Sequence, residues 1–149
     1  MNKKLTKPFA TNKISKKRLR RAICKLAYDL GVKHVRFTNK ARYISGSYNA
    51  SQSNIYVDGK MDKREILLAF FHELSHHVCY SQGKWHKYHD NAATPLLSAT
   101  TKFKIENKID RNAKRLWFKY VDIKEWGRYR YGYPLNQKKY IVEWLERYY

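Results

Sequence analysis

The sequence predicts an α+β domain, in which a small antiparallel sheet packs on one long apolar helix and on an amphipathic helix that follows it. Three observations carry this reading. Apolar residues recur at helical spacing in four separate stretches. Alternation of apolar and polar residues is confined to the region between Val35 and Val57. The chain is 149 residues long, which suits one compact domain and leaves little room for two.

Met1 to Asn12 is polar and basic and contains Pro8, so residues 1–12 read as a flexible basic arm and residues 13–149 as a single domain. Ser15 offers an N-cap to a first helix, in which Leu19, Ala22, Ile23, Leu26, Ala27 and Leu30 recur at helical spacing. Gly31 stands where a C-terminal cap belongs, and Cys24 reads as a small apolar residue of that helix. The opposite face carries Lys16, Lys17, Arg20, Arg21 and Lys25. Two or three short strands follow, signalled by Val35 with Phe37, Tyr43 with Ser45 and Ile55 with Val57. The stretches around Asn39, Gly46 to Asn54 and Asp58-Gly59 read as turns between them.

Asp62 and Glu65 form a capping-box-like start to a second helix, which runs from Lys63 to about Tyr80 on Ile66, Leu67, Ala69, Phe70, Leu74 and Val78. Gly83 ends it. From Gly83 to Thr100 no period is visible, and a loop of that length is often functional. Thr100 or Thr101 caps a third helix reaching about Val121. A Tyr-, Arg- and Gly-rich connection spans Gly127 to Pro134, and Asn136 could cap a last helix bearing Tyr140, Ile141, Trp144, Leu145 and Tyr148.

Charge narrows the partners. The chain carries 32 Lys and Arg against 12 Asp and Glu, a formal net charge of +20. Ten of the basic residues and no acid lie between Met1 and Tyr28, whereas Asp29 to Thr101 holds nine basic and six acidic residues. An excess of this kind favours an anionic partner, and nucleic acid contacted through the flanks is the expectation, at Lys16, Lys17, Arg20, Arg21, Arg128 and Arg130. An aromatic content of 15% is too high for a disordered tail. No apolar window is long enough to span a membrane, and the basic N-terminus lacks the apolar core of a secretory signal. Cys24 and Cys79 are too few to staple a secreted scaffold, so reduced thiols in the cytoplasm, or inside the host of a phage that encodes the chain, are expected.

The chemistry is concentrated in His72-Glu73-Leu74-Ser75-His76, an HExxH pattern inside the second helix. Residues four apart lie one turn apart on the same face, so both imidazoles can reach one Zn2+ ion. Glu73, beside the first of them, is placed to take a proton from a water whose pKa the metal lowers toward about 7. A third ligand is needed. Glu106 is one choice, with Asp110 four residues on to accept the N–H of a ligand histidine and Ala113 to let the helices approach. His89 is the alternative, because imidazole is also a good zinc ligand; His86 is its near neighbour. His77 points about 100° away from His76 and belongs to the rim.

In these residues the sequence resembles the small gluzincin-type zinc peptidases, and most of all the ImmA/IrrE-like minimal peptidases. His72, Glu73, His76, Glu106 and Asp110 fall where that family carries its two histidine ligands, its catalytic glutamate, its glutamate ligand and its supporting aspartate. Gly46-Ser47-Tyr48 and Asn54-Ile55-Tyr56-Val57 resemble the strand segments that precede its helix. The resemblance covers about residues 36–119 and implies a zincin-like fold. A second resemblance, to SprT-like and Spartan-like proteases that act near DNA, would make His89 the third ligand, although Asp90-Asn91-Ala92 follows it where those proteins have Gly and an aromatic.

The function implied is a zinc metalloendopeptidase with a protein or peptide substrate laid along the strand Asn54 to Val57, and with an oxyanion partner among Tyr80, Tyr88, Tyr129, Tyr131 and Tyr133. The other expectation is a DNA-associated protease, or a nucleic-acid-binding or virion-associated protein that keeps the same fold.

Overall fold

A computed structural model describes residues 7–38, 45–90 and 97–130 of the chain. Within them the element order is α1 (Lys16–Asp29), β1 (His34–Thr38), β2 (Gly46–Asn49), β3 (Asn54–Asp58), α2 (Lys63–Ser81), α3 (His86–His89), α4 (Ala99–Tyr120) and α5 (Ile123–Trp126). The α+β class holds. The predicted last helix, the Tyr43 strand signal and Pro95 lie outside the described residues. No helix among those described is long and apolar enough to cross a membrane.

Local chemistry sets the helix starts. Ser15 Oγ accepts the Arg18 N–H at 3.2 Å, and Asp62 Oδ1 accepts the Glu65 N–H at 2.9 Å, which satisfies an otherwise orphaned donor at each N-terminus. At α4 the cap is Ser98, whose Oγ accepts the Thr101 N–H at 3.1 Å, not Thr100 or Thr101 as the sequence predicts. Gly31 and Gly83 turn the chain out of α1 and α2 with φ of 93° and 80°, values that a side chain would strain. The expected unstructured stretch after Gly83 contains the single turn α3, entered through Trp85 in the left-handed region (φ 54°).

The sheet corrects the predicted antiparallel arrangement. Its strand order is β1-β3-β2, with β2 antiparallel to β3 and β1 parallel to it. Two chain reversals bring β3 back into the direction of β1, and β3 then inserts between β1 and β2, where a meander would have left β2 in the middle. Burial explains the choice. Ile55 and Val57 are fully buried and β-branched, so β3 takes the centre. Gly46 to Asn49, expected as turn, is therefore an edge strand, and the turn shrinks to residues 50–53.

Every residue of α2 from Ile66 to His77 is buried, a helix that neighbours cover on all sides. It packs against α1, β2, β3 and α4. Phe70, Phe71 and Leu74 meet Leu19, Ile23, Ile55, Val57 and Trp117 in one core. Cys24, expected on the apolar side of α1, is exposed instead.

From Lys7 onward the expected arm is docked. Phe9 is 1% exposed and packs edge-on against Phe71, with ring centroids 5.8 Å apart. Its N–H donates to the Tyr120 carbonyl at 3.2 Å, and its carbonyl accepts the Asp122 N–H at 3.1 Å. A buried phenylalanine held by two main-chain bonds makes this segment part of the core.

Candidate metal centre

The one-turn spacing on α2 brings the rings of His72 and His76 to 5.1 Å, and ligand atoms of His72, Glu73 and His76 lie within 4.8 Å of one another. α4 crosses beside them and delivers Glu106. Its Oε2 lies 3.0 Å from His72 Nε2, and its Oε1 lies 3.2 Å from His76 Nε2. Two contacts lock this crossing: Ser75 Oγ donates to the Ile109 carbonyl at 2.6 Å, and the Asn112 amide donates to Ser75 Oγ at 3.0 Å.

The outer nitrogens of both histidines are occupied. His72 Nδ1 faces Asp110 Oδ1 at 3.3 Å, and that same oxygen accepts the Tyr129 hydroxyl at 2.7 Å. A carboxylate oxygen can only accept, so His72 carries a proton on Nδ1 and Nε2 is the nitrogen turned toward the ligand position. On His76 the outer partner is His89, whose Nε2 lies 3.0 Å from His76 Nδ1. His89 Nδ1 faces the Trp85 carbonyl at 3.0 Å and must donate to it. Burial, with His76 beside it, pushes the His89 pKa down to about 4, so the ring is neutral and its Nε2 accepts. His76 therefore donates from Nδ1, and its Nε2 faces Glu106.

That geometry turns two imidazole nitrogens toward the two oxygens of one buried carboxylate. His76 Nε2 and Glu106 Oε2 are sealed from solvent and have no hydrogen-bond partner among the described residues. A cation between them would satisfy both atoms, and two imidazole nitrogens with one carboxylate form a donor set that suits zinc. The metal-free electrostatics show the same demand for positive charge. Burial opposes a charged His72, yet Glu106, with Asp110 behind the ring, holds its imidazolium up to about 10. Burial would raise Glu106, but the two histidines hold it well below the usual carboxylate range. Tyr88 steadies this carboxylate by donating its hydroxyl to Oε1.

Glu73 stands beside the pair. Burial pushes its carboxyl up, against the lowering pull of His76 and His72. It faces the edge strand, where a Cβ added at Gly46 would lie 3.1 Å from Glu73 Cγ and 2.9 Å from the Tyr56 carbonyl. Only a glycine leaves this room. On the same strand the Tyr48 hydroxyl donates to His77 Nδ1 at 2.9 Å, while His77 Nε2 donates to the Leu30 carbonyl at 2.8 Å. His77 thus ties α1, α2 and β2 together behind the site.

The five residues His72, Glu73, His76, Glu106 and Asp110 come together. His89 reaches His76 from behind, on the nitrogen that the ligand position does not use, and so does not share the position of Glu106. Tyr88 and Tyr129, expected as oxyanion partners, are engaged with Glu106 and Asp110, and Tyr80 stacks 4.7 Å from His86. Tyr131 and Tyr133 lie outside the described residues. Of the six basic residues expected to meet nucleic acid, Lys16, Lys17, Arg21, Arg128 and Arg130 are exposed. Arg20 is not free for that role: it donates to the Gly59 carbonyl at 3.2 Å and its guanidinium lies 5.0 Å over Phe37. The roles of Tyr88 and Trp85 carry no local motif; only the crowding of Trp85, Tyr88 and His89 into five residues points to a built turn. The chain matches no protein-family profile, no curated protein and no solved structure.

Proposed function

We propose that this protein is a zinc-dependent metallopeptidase of gluzincin type. The observation that carries the reading is the convergence of two tautomer-locked imidazole nitrogens and the Glu106 carboxylate on one buried point, beside a second buried carboxyl, Glu73. His72, His76 and Glu106 would hold the ion. Once bound, zinc supplies Lewis acidity toward a carbonyl and brings a water near neutral pKa.

The protein's own residues do the rest. Glu73, made more basic by its burial, takes the proton of the attacking water and returns it to the leaving amine. Asp110 and His89 keep both imidazoles in the binding tautomer, and Tyr88 keeps Glu106 from swinging away. β3 cannot receive a substrate strand, because β1 and β2 already occupy both of its sides. The strand expected at Asn54 to Val57 is thus replaced as docking edge by β2, whose Gly46 lies against Glu73 and whose outer side is unpaired among the described residues.

Metal analysis and peptide hydrolysis test the reading together. The wild-type chain should hold about one zinc and cleave an unstructured protein such as casein. Glu106→Ala should lose the metal. Glu73→Gln should keep it and lose cleavage. A Glu73→Gln chain that still cleaves, or a wild-type chain that takes up no zinc, overturns the proposal.

A further inference from the structure

Helix α1 presents a surface that the metal centre does not use. Its buried residues are Leu19, Ile23, Leu26 and Ala27, and the opposite side carries Lys17, Arg21, Lys25 and Tyr28, all exposed. These four follow one stripe, because positions separated by three or four residues lie above one another on a helix. At a rise of 1.5 Å per residue, the three cations stand about 6 Å apart along it. Tyr28 ends the stripe at 75% exposure, the most exposed large apolar side chain of the described residues. The helix contains one acid, Asp29, at its last position. Like charges repel at this spacing, so the stripe stands at a cost unless an anion answers it.

The helix is also fixed in place. Arg20 turns inward, bonds to the Gly59 carbonyl and stacks on Phe37, which clamps α1 to the sheet. α1 packs on β1, whereas Glu73 faces β2, so the stripe and the metal centre belong to opposite edges of the sheet.

We propose that the α1 stripe of Lys17, Arg21, Lys25 and Tyr28 is a docking surface for single-stranded nucleic acid, with phosphates on the three cations and a base stacked on Tyr28. Cations in line with one accessible aromatic are the pattern that binds a strand without reading its sequence. A duplex would meet the cations but could offer no unstacked base to Tyr28, and an anionic membrane would find one aromatic ring and no apolar face to bury. Occupation of α1 leaves the β2 edge open, so a bound strand would hold the protein without covering its metal centre.

Fluorescence anisotropy of the full chain with a labelled oligothymidine of about twelve nucleotides tests this, beside a duplex and vesicles of phosphatidylserine. The strand should bind with log K falling linearly in log salt. The Lys17→Ala, Arg21→Ala, Lys25→Ala triple variant should make that slope shallower by about 2, since each phosphate contact contributes about 0.7. Tyr28→Ala should weaken strand binding about 5- to 100-fold at every salt concentration, leave the slope unchanged and not affect the duplex. All four residues are exposed, and unchanged thermal unfolding confirms that the variants fold. A slope unchanged in the triple variant, indifference to Tyr28→Ala, tighter binding of duplex or vesicles than of the strand, or no binding of the wild-type chain overturns the proposal.

Discussion

His89 lies behind His76, Nε2 to Nδ1 at 3.0 Å, and its own Nδ1 rests on the carbonyl of Trp85, a residue held at φ 54°. A proton order runs through this line from carbonyl to neutral imidazole to ligand. It gives His89 a job that differs from ligation: it fixes which nitrogen of His76 faces Glu106.

The consequence is measurable. His89→Ala should leave the zinc stoichiometry unchanged and weaken affinity about 10- to 100-fold, the usual cost of removing a partner that orients a ligand. Competition against a chromophoric chelator reads both quantities. Were His89 itself a ligand, the variant would lose the metal outright.

Gly46 should be intolerant of the smallest side chain. A methyl there meets a backbone oxygen at 2.9 Å and Glu73 Cγ at 3.1 Å, and the backbone atom cannot yield easily. Gly46→Ala should destabilise the fold by about 1–3 kcal/mol through overpacking. It should also displace Glu73, the proposed base and not one of the proposed ligands, so kcat should fall while zinc content stays at the wild-type value. A variant with normal kcat would detach β2 from the chemistry.

These two residues mark the limit of what the sequence discloses. HExxH is local: helical spacing alone aligns His72 with His76, and Asp62 and Gly83 bound the helix that carries them. Glu106 and Asp110 are legible for the same reason, as an i, i+4 pair on a periodic helix. The tautomer line through His89 depends on a left-handed Trp85, which no propensity demands. The strand order depends on which strand the core selects, and Ile55 and Val57 win that place by burial, a tertiary effect that alternation cannot express. Phe9, in a segment whose composition reads as a solvated arm, is captured by Phe71 and by two backbone bonds from 111 to 113 residues away in the chain.

The metal-free protein should depend on pH in a way that zinc removes. Glu106 raises the pKa of His72 to about 10, above the ordinary value of 6.5. A raised histidine stabilises the fold fully below about pH 6.5, and that contribution is lost as pH rises through about 10. The melting temperature of chelator-stripped protein should therefore fall across this window. Zinc held as proposed would take the place of the Nε2 proton, so loaded protein should lose less stability over the same range. Binding near pH 7 should also release about one proton, seen as a dependence of the calorimetric enthalpy on buffer ionisation heat. Parallel melting profiles and no proton release would mean that His72 Nε2 is not where the ion sits.

Phe9 connects the N-terminal segment to the site through a line of rings. It touches Phe71, the neighbour of His72; Phe71 meets Trp117 at 5.6 Å; Trp117 meets Tyr129 at 5.9 Å; and Tyr129 holds Asp110. Truncating Phe9 to alanine empties a fully buried position, so Phe9→Ala should cost about 3–5 kcal/mol and lower the melting temperature by roughly 10 °C. Thr11→Ala, two residues on and exposed, should change little. If the cavity lets Phe71 and Trp117 relax, Tyr129 loosens its hold on Asp110 and zinc affinity falls with stability. A Phe9→Ala protein that melts like the wild type would return the whole segment to the status of a free arm and remove this support from the metal centre.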